Sequence, residues 1–392
     1  MKKVIPIIMA LSIISTFVFS ACKKQGSTNL FKVSYSNAEH AKLGVTCNGK
    51  EVENDDVLPE GSILTFTALL EDFYKVTTWK IEGGVVQDGG KENDTTTKVK
   101  LVGNMTVTIE AIFAAKPGYD ATTGVGCVDN VAFEMKAIEA VKQGTIGNYG
   151  EKHNIERQVD LSPYRICTTE VTQELWKTIM KNNPSKQKTA SKHEKKEKLP
   201  VESVSWYESV AFCNSLTERL YSSRSECVYY SDDALTQVYT LDDAHSKKFA
   251  KQNLTKKGFR LPTAAEWEWA AVAGTEDDWS GTNEEKELTN YAWYKKNALR
   301  TTHQVKTKKP NKFGLYDMTG NVVEFVWDYY QEEMKESESA GKNPVGSEWA
   351  LQKTAKGGSY THDPKDAYRY SAMPSNPDSK YDFIGLRICC TQ

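Results

Sequence analysis

Metal-ligand cysteine pairs, a strong charge excess and the familiar catalytic signatures are all missing from this 392-residue chain. Its 50 Lys and Arg stand against 52 Asp and Glu, a formal net charge of −2, so no broad basic footprint exists and nucleic acid is not an expected partner. Beyond Cys22 the cysteines (Cys47, Cys127, Cys167, Cys213, Cys227, Cys389, Cys390) are odd in number, irregularly spaced and free of any Cys-x-x-Cys. A zinc ribbon and a disulfide-scaffold fold are both disfavoured. The histidines (His40, His153, His193, His245, His303, His362) are isolated, with no His-Glu-x-x-His. No Gly-x-Ser-x-Gly elbow, P-loop or glycine-rich dinucleotide fingerprint occurs either. These absences lower the prior for an enzyme, although histidines far apart in sequence can still converge in space.

What is present begins with Met1-Lys2-Lys3, an apolar run from Val4 to Phe19, and Ser20-Ala21-Cys22. That is the pattern of an export signal, and the run is too short and wrongly flanked for a stable membrane helix. Phe19-Ser20-Ala21-Cys22 resembles a bacterial lipobox, with phenylalanine where leucine is usual. The resemblance implies a signal over residues 1–21, lipidation of Cys22, and a tether over 22–29. Several acyl chains on one residue give stable anchoring. The expected location is the bacterial cell envelope, on its outer surface or periplasmic face, with the membrane as partner through the lipid. A plain cleaved signal with an incidental cysteine is the competing reading.

From Leu30 to Phe113 apolar and polar residues alternate, as in Leu64-Thr-Phe66-Thr-Ala68, and turn signals such as Asn48-Gly49, Gly83-Gly84 and Gly89-Gly90 separate the runs. This predicts a small all-β, repeat-like module over 30–115, acting as a spacer or stalk. A polar stretch over 116–129 reads as a linker, and a mixed helix-and-loop domain fills 130–392. Ser205 with Glu208 and Thr263 with Glu266 have capping-box spacing, and Thr172 is a plausible cap for the helix carrying Leu175, Trp176 and Ile179. The aromatics behind these caps are expected in the core. The lysine- and glutamate-rich run 186–198 reads as a solvated loop.

Six stretches then carry a resemblance: Thr169-Glu-Val-Thr-Gln173, Leu199-Pro-Val-Glu-Ser-Val-Ser-Trp206, Ala211-Phe-Cys-Asn214, Phe259-Arg-Leu-Pro-Thr-Ala-Ala-Glu-Trp-Glu-Trp269, Phe313-Gly-Leu-Tyr-Asp-Met-Thr-Gly-Asn-Val-Val-Glu324 and Gly357-Gly-Ser-Tyr360. In this order and spacing they resemble the formylglycine-generating (sulfatase-modifying factor) family. The resemblance implies an α+β, irregular C-type-lectin-like domain, preceded here by the small all-β module. Fold alone does not settle function, since this frame carries both enzymes and binding modules. Catalytic members hold copper(I) on two cysteines, two and seven residues beyond the Gly-Gly-Ser-Tyr tyrosine. His362 and Ala367 stand there instead. Soft thiolate ligands select copper(I), so no copper is expected and no catalytic residue is assigned. A family disulfide would join Cys213 to Cys389 or Cys390, but the shift past Arg387 flips the side chain across a strand.

The resemblance also implies a calcium loop at Asp317, Gly320, Val322 and Glu324, two carboxylates plus carbonyls suiting that ion. The competing reading is a Gly-Asn turn feeding a helix, with Glu324 solvated. The family's second calcium loop has no clear counterpart near Asn290 to Lys309. Tyr360, Thr361, His362, Asp363, Tyr370, Ser371, Asn376, Asp378, Tyr381, Asp382 and Phe383 mix aromatic anchors with small polar groups, the composition of a recognition loop. Surface lipoproteins diversified by retroelements use this fold with ligand-facing positions in this stretch. Several of these residues could instead pack core turns, Tyr370 with Tyr368 and Arg369 in particular. The expected function is non-catalytic binding of an unknown protein or glycan. An oxidoreductase of the formylglycine-generating type, or another enzyme with a non-standard site, is the alternative.

Overall fold

In the computed structural model the described residues are 29–187, 194–335, 340–347 and 350–392, and the chain divides into two compact units at Phe113/Ala114. The signal, Cys22 and the tether up to residue 28 lie outside the described residues. Unit one is all-β. Its strands run in the order Lys50–Glu51, Ala41–Cys47, Ile63–Leu70, Thr96–Phe113, Leu30–Ser36 and Asp56–Pro59, and Tyr74–Gly89 also pairs with Thr96–Phe113. The alternating apolar residues meet on one side: Val33, Leu64, Phe66, Val76, Val99, Leu101 and Val107 form a core. Gly83 sits at φ +70° where an added Cβ would come 1.9 Å from the Asn104 carbonyl oxygen. Only glycine fits that crossing of the two long strands.

Unit two carries few helices between irregular sheets. The stretch 116–129 is not a free linker: Gly118–Asp120 and Val125–Val128 are strands that open a six-stranded sheet. That sheet continues through Val131–Ile138 and Tyr164–Cys167 to Cys389–Thr391 and Phe259–Arg260. The glycines that read as linker signals are turn and close-packing residues; a Cβ at Gly126 would strike the Phe133 ring.

Helices α1 (Gln173–Met180), α2 (Trp206–Tyr221), α3 (Leu241–His245) and α4 (Ala264–Val272) follow from local chemistry. Thr172 accepts from the Leu175 amide, and both expected capping boxes form. A third box, Thr240 with Asp243, starts α3. Trp176 stacks on Phe212 at 5.0 Å, and the Trp206 indole donates to the Val326 carbonyl at 2.9 Å. All described cysteines are free thiols, so Cys213 bridges neither Cys389 nor Cys390. Cys389 instead accepts from Arg260 at 2.9 Å, and Cys390 faces the Tyr119 hydroxyl at 3.5 Å. The two neighbours point to opposite sides of their strand, as alternation requires.

A four-stranded sheet supports the site. Its order is Ala372–Ser375, Lys353–Lys356, Val323–Tyr329 and Ile384–Leu386. Glu324 therefore opens a strand rather than a helix, and it is buried rather than solvated.

Candidate ligand-binding site

Strand Lys353–Lys356 ends at Gly357 and Gly358, with φ of +95° and +70°. A Cβ on Gly358 would lie 2.5 Å from the Ala367 methyl, so the loop folds back on itself at van der Waals distance. This reversal buries Ser359, then releases Thr361 to solvent. A short 3-10 turn, Pro364–Ala367, closes the loop. Its last residue, Ala367, is completely buried.

His362 stands at the mouth of this fold-back. Its Nδ1 lies 2.7 Å from the Ser359 hydroxyl, and its ring meets Phe383 edge-on at 5.8 Å. Burial lowers its pKa against the opposing pull of Asp366 and Asp363, so the imidazole is neutral at pH 7. The two positions of the family's thiolate pair thus hold a neutral ring and a methyl group. Beside them opens a cleft of about 460 Å³ lined by His362, Asp366, Glu151, His153, Gly358 and Met373. Burial also lowers the pKa of His153. The contribution of Glu151 and His153 to this cleft has no signature in the sequence. The Asn148-Tyr149-Gly150 turn before them says nothing of a partner more than 200 residues away.

The expected contact residues divide. Tyr360 and Tyr370, expected as contact residues, are 3 % and 8 % exposed and pack within the fold. The Tyr360 hydroxyl donates to the Asp382 carbonyl and accepts from Gln187, while Tyr370 stacks on Tyr368 at 5.0 Å. Asp363 pairs with Lys295 at 2.7 Å, Asp378 pairs with Lys247, and the Asp382 carboxylate accepts from Gln187 at 2.9 Å. Thr361, Asn376 and Tyr381 are exposed, and Ser371 lines the cleft. Tyr381 stacks on Phe383 at 5.3 Å, and Phe383 touches His362. That chain of rings joins the second segment to the cleft. Residues 188–193, within the loop expected to be solvated, lie outside the described residues.

The expected calcium loop is more closed than its spacing implies. Glu324 accepts from Arg387 at 2.7 Å and from the Trp267 indole at 2.6 Å, leaving neither oxygen free. Asp317 accepts from the Lys306 amide through one oxygen, and the other, Oδ1, is buried with no partner. Glu170, unnoticed in the sequence, adds a third carboxylate and holds Asn321 and the Val322 amide at 2.8 and 3.0 Å. Burial and mutual repulsion push Glu170 up, and burial pushes Asp317 up to about 6. Among the described residues no three His, Cys, Asp or Glu side chains converge as a ligand group. The unpartnered Asp317 oxygen is the one side-chain atom of the expected loop, among the described residues, that is left over for a cation. Glu324 offers none.

A family model described as Sulfatase-modifying factor enzyme 1-like domain matches residues 130–391. Among solved structures, Treponema denticola variable protein 1 is similar over 68 % of this chain and 98 % of its own, at 38 % identity and a TM-score of 0.62. A Paenibacillus barcinonensis protein named Chaperone protein LppX is 32 % identical over 196 residues, 45 % of this chain and 65 % of its own length. Formylglycine-generating enzyme of Mus musculus is 31 % identical over 149 residues, 34 % of this chain and 39 % of its own. The matches to these two curated relatives thus span less than two thirds of their length.

Proposed function

The chain belongs to the sulfatase-modifying factor enzyme 1-like family and has its C-type-lectin-like fold, and from that premise we propose a lipid-anchored bacterial envelope protein whose lectin-like domain binds a macromolecular ligand without catalysis. The observation that carries this reading is the pair His362 and Ala367. Copper(I) chemistry needs soft sulfur, and this site offers a neutral imidazole and a methyl buried against Gly358. What remains is suited to contact: exposed Thr361, Asn376 and Tyr381, with Phe383 linking them to the cleft. The similarity to a protein named as variable supports a role in recognition.

Two experiments test this. Incubation with copper, oxygen and a Cys-x-Pro-x-Arg peptide should leave the peptide mass unchanged, and aldehyde formation would overturn the reading in favour of an oxidase. Glycan and protein arrays should yield a ligand whose binding falls in Tyr381→Ala and Phe383→Ala. Lipid anchoring has its own check, because Cys22→Ala should release the protein from the membrane fraction. The similarity to a protein named LppX supports an envelope location, and no described helix is long and apolar enough to cross a membrane.

Calcium is a separate part of the proposal, resting on the unpartnered Asp317 oxygen beside Glu170. Millimolar calcium should raise the melting temperature of the wild type and leave Asp317→Asn unmoved. Equal curves with and without calcium would remove the ion from the account.

A further inference from the structure

Between Glu287 and Asp317 the sequence holds Lys295, Lys296, Arg300, Lys306, Lys308, Lys309 and Lys312 and not one acid. The chain's average would put roughly four acids in a stretch that long. The fold then adds to this excess. The Val305 amide donates to the Lys198 carbonyl, and the Lys195 amide donates to Gln304, bringing three lysines of 195–198 alongside with one exposed acid, Glu197, while Glu194 is taken up by His303. Lys196, Lys296, Arg300, Lys309 and Lys312 are exposed and form no ion pair among the described residues. Lys295 ties the surface to the candidate site, its amide donating to the His362 carbonyl and its ammonium pairing with Asp363.

Such a surface attracts anions, and its other features narrow their class. Trp293 has His303 stacked at 3.7 Å and the Lys308 ammonium over its ring at 3.7 Å, so both faces are covered. Nucleic-acid bases would find no platform there. Leu299, 76 % exposed, is a single apolar side chain, far short of the area an interfacial membrane contact buries. Unpaired lysines act as point charges on flexible stems and suit repeated carboxylates or sulfates along a hydrated polymer.

We propose that the surface formed by residues 195–198 and 295–312 binds an acidic polysaccharide. It deepens the recognition reading above by naming the ligand's chemistry, and it rests on that reading only in placing the polymer next to His362. The test uses the mature chain with heparin as the probe, and with uncharged dextran, phosphatidylglycerol vesicles and single-stranded DNA as comparators. Heparin should bind at low salt, weaken steeply as salt rises, and weaken on the order of tenfold or more in the quadruple variant K296E/R300E/K309E/K312E. Because these side chains are exposed, circular dichroism should be unchanged, and the milder K296Q/R300Q/K309Q/K312Q set keeps the test alive if the reversed charges impair folding. No heparin binding, binding indifferent to both variants, or tighter binding to vesicles or DNA overturns the proposal. Tyr381→Ala separates the two readings: heparin binding lost with the basic residues but unmoved by Tyr381→Ala supports the basic surface and leaves the aromatic segment to the arrays.

Discussion

The two sides of the Gly357-Gly358 turn make a sharp contrast. Behind it, charge is buried and matched: Glu268 receives Lys356 at 3.2 Å, Arg369 at 3.1 Å and Asn154 at 2.7 Å, and Arg387 holds Glu324. Burial alone would raise the Glu268 pKa, yet Lys356, Asn154 and the arginines outweigh it and lower it. In front of the turn, Thr361, Asn376 and Tyr381 are exposed, and none of them builds the core. A buried charge must be hydrogen-bonded or the fold fails, whereas an exposed tyrosine is free to serve another molecule. The C-terminal stretch therefore contains both tightly constrained and lightly constrained residues, a few positions apart.

Substitutions should show that gradient. Arg387→Met leaves Glu324 buried without its partner, beside Glu170 and Asp317. We expect a loss of about 3–5 kcal/mol in chemical denaturation, enough to leave little folded domain. Glu268→Gln strands Lys356 and should cost somewhat less, about 3 kcal/mol, since Asn154 and two arginines can rearrange around the amide. Tyr360→Phe removes one donated and one accepted hydrogen bond and should cost about 1 kcal/mol. Tyr381→Ala should change stability by less than about 0.5 kcal/mol while reducing ligand binding. If Tyr381→Ala destabilises as much as Tyr360→Phe, the division into structural and recognition residues is wrong.

A different kind of effect is one of pH. Lys353 lies under the rings of Tyr329, Trp206 and Trp327, and burial lowers its pKa to about 7 from 10.5. Between about 7 and 10.5 the unfolded chain binds a proton there that the folded chain lacks, so stability rises with pH across that window. Burial pushes the neighbouring Asp328 up to about 6 from 3.8. The folded state then holds the extra proton, and stability falls as pH rises from 3.8 to about 6. Melting curves of Lys353→Met should lose the alkaline rise and keep the acid-side fall. A rise that persists would assign it to another group.

How much could be read beforehand follows from what is local. The Ser205–Glu208 and Thr263–Glu266 boxes depend on four consecutive residues and both form; Thr240–Asp243 lacks the usual signature because its N3 acid is aspartate rather than glutamate. The alternation in the first unit was legible for the same reason. The stretch 116–129 reads as a linker because Gly118 takes a positive φ and Gly124 and Gly126 are required by close packing, which has no local signature. Long-range partners leave no local trace: Glu170 beside Asp317, Gln187 on Tyr360, and His153 lining the same cleft as His362. Tyr360 and Tyr381 read alike in composition, yet one is buried and the other exposed.

The six-stranded sheet has a kinetic consequence. Tyr164–Cys167 lies between Val131–Ile138, near the start of the domain, and Cys389–Thr391, at its far end. Pairings so distant in sequence close large loops before any packing rewards them, so the domain should fold slowly. During that interval Cys389 and Cys390, wholly buried once the sheet is complete, are open to oxidation. Refolding yield should therefore depend on keeping thiols reduced until the last strand is in place.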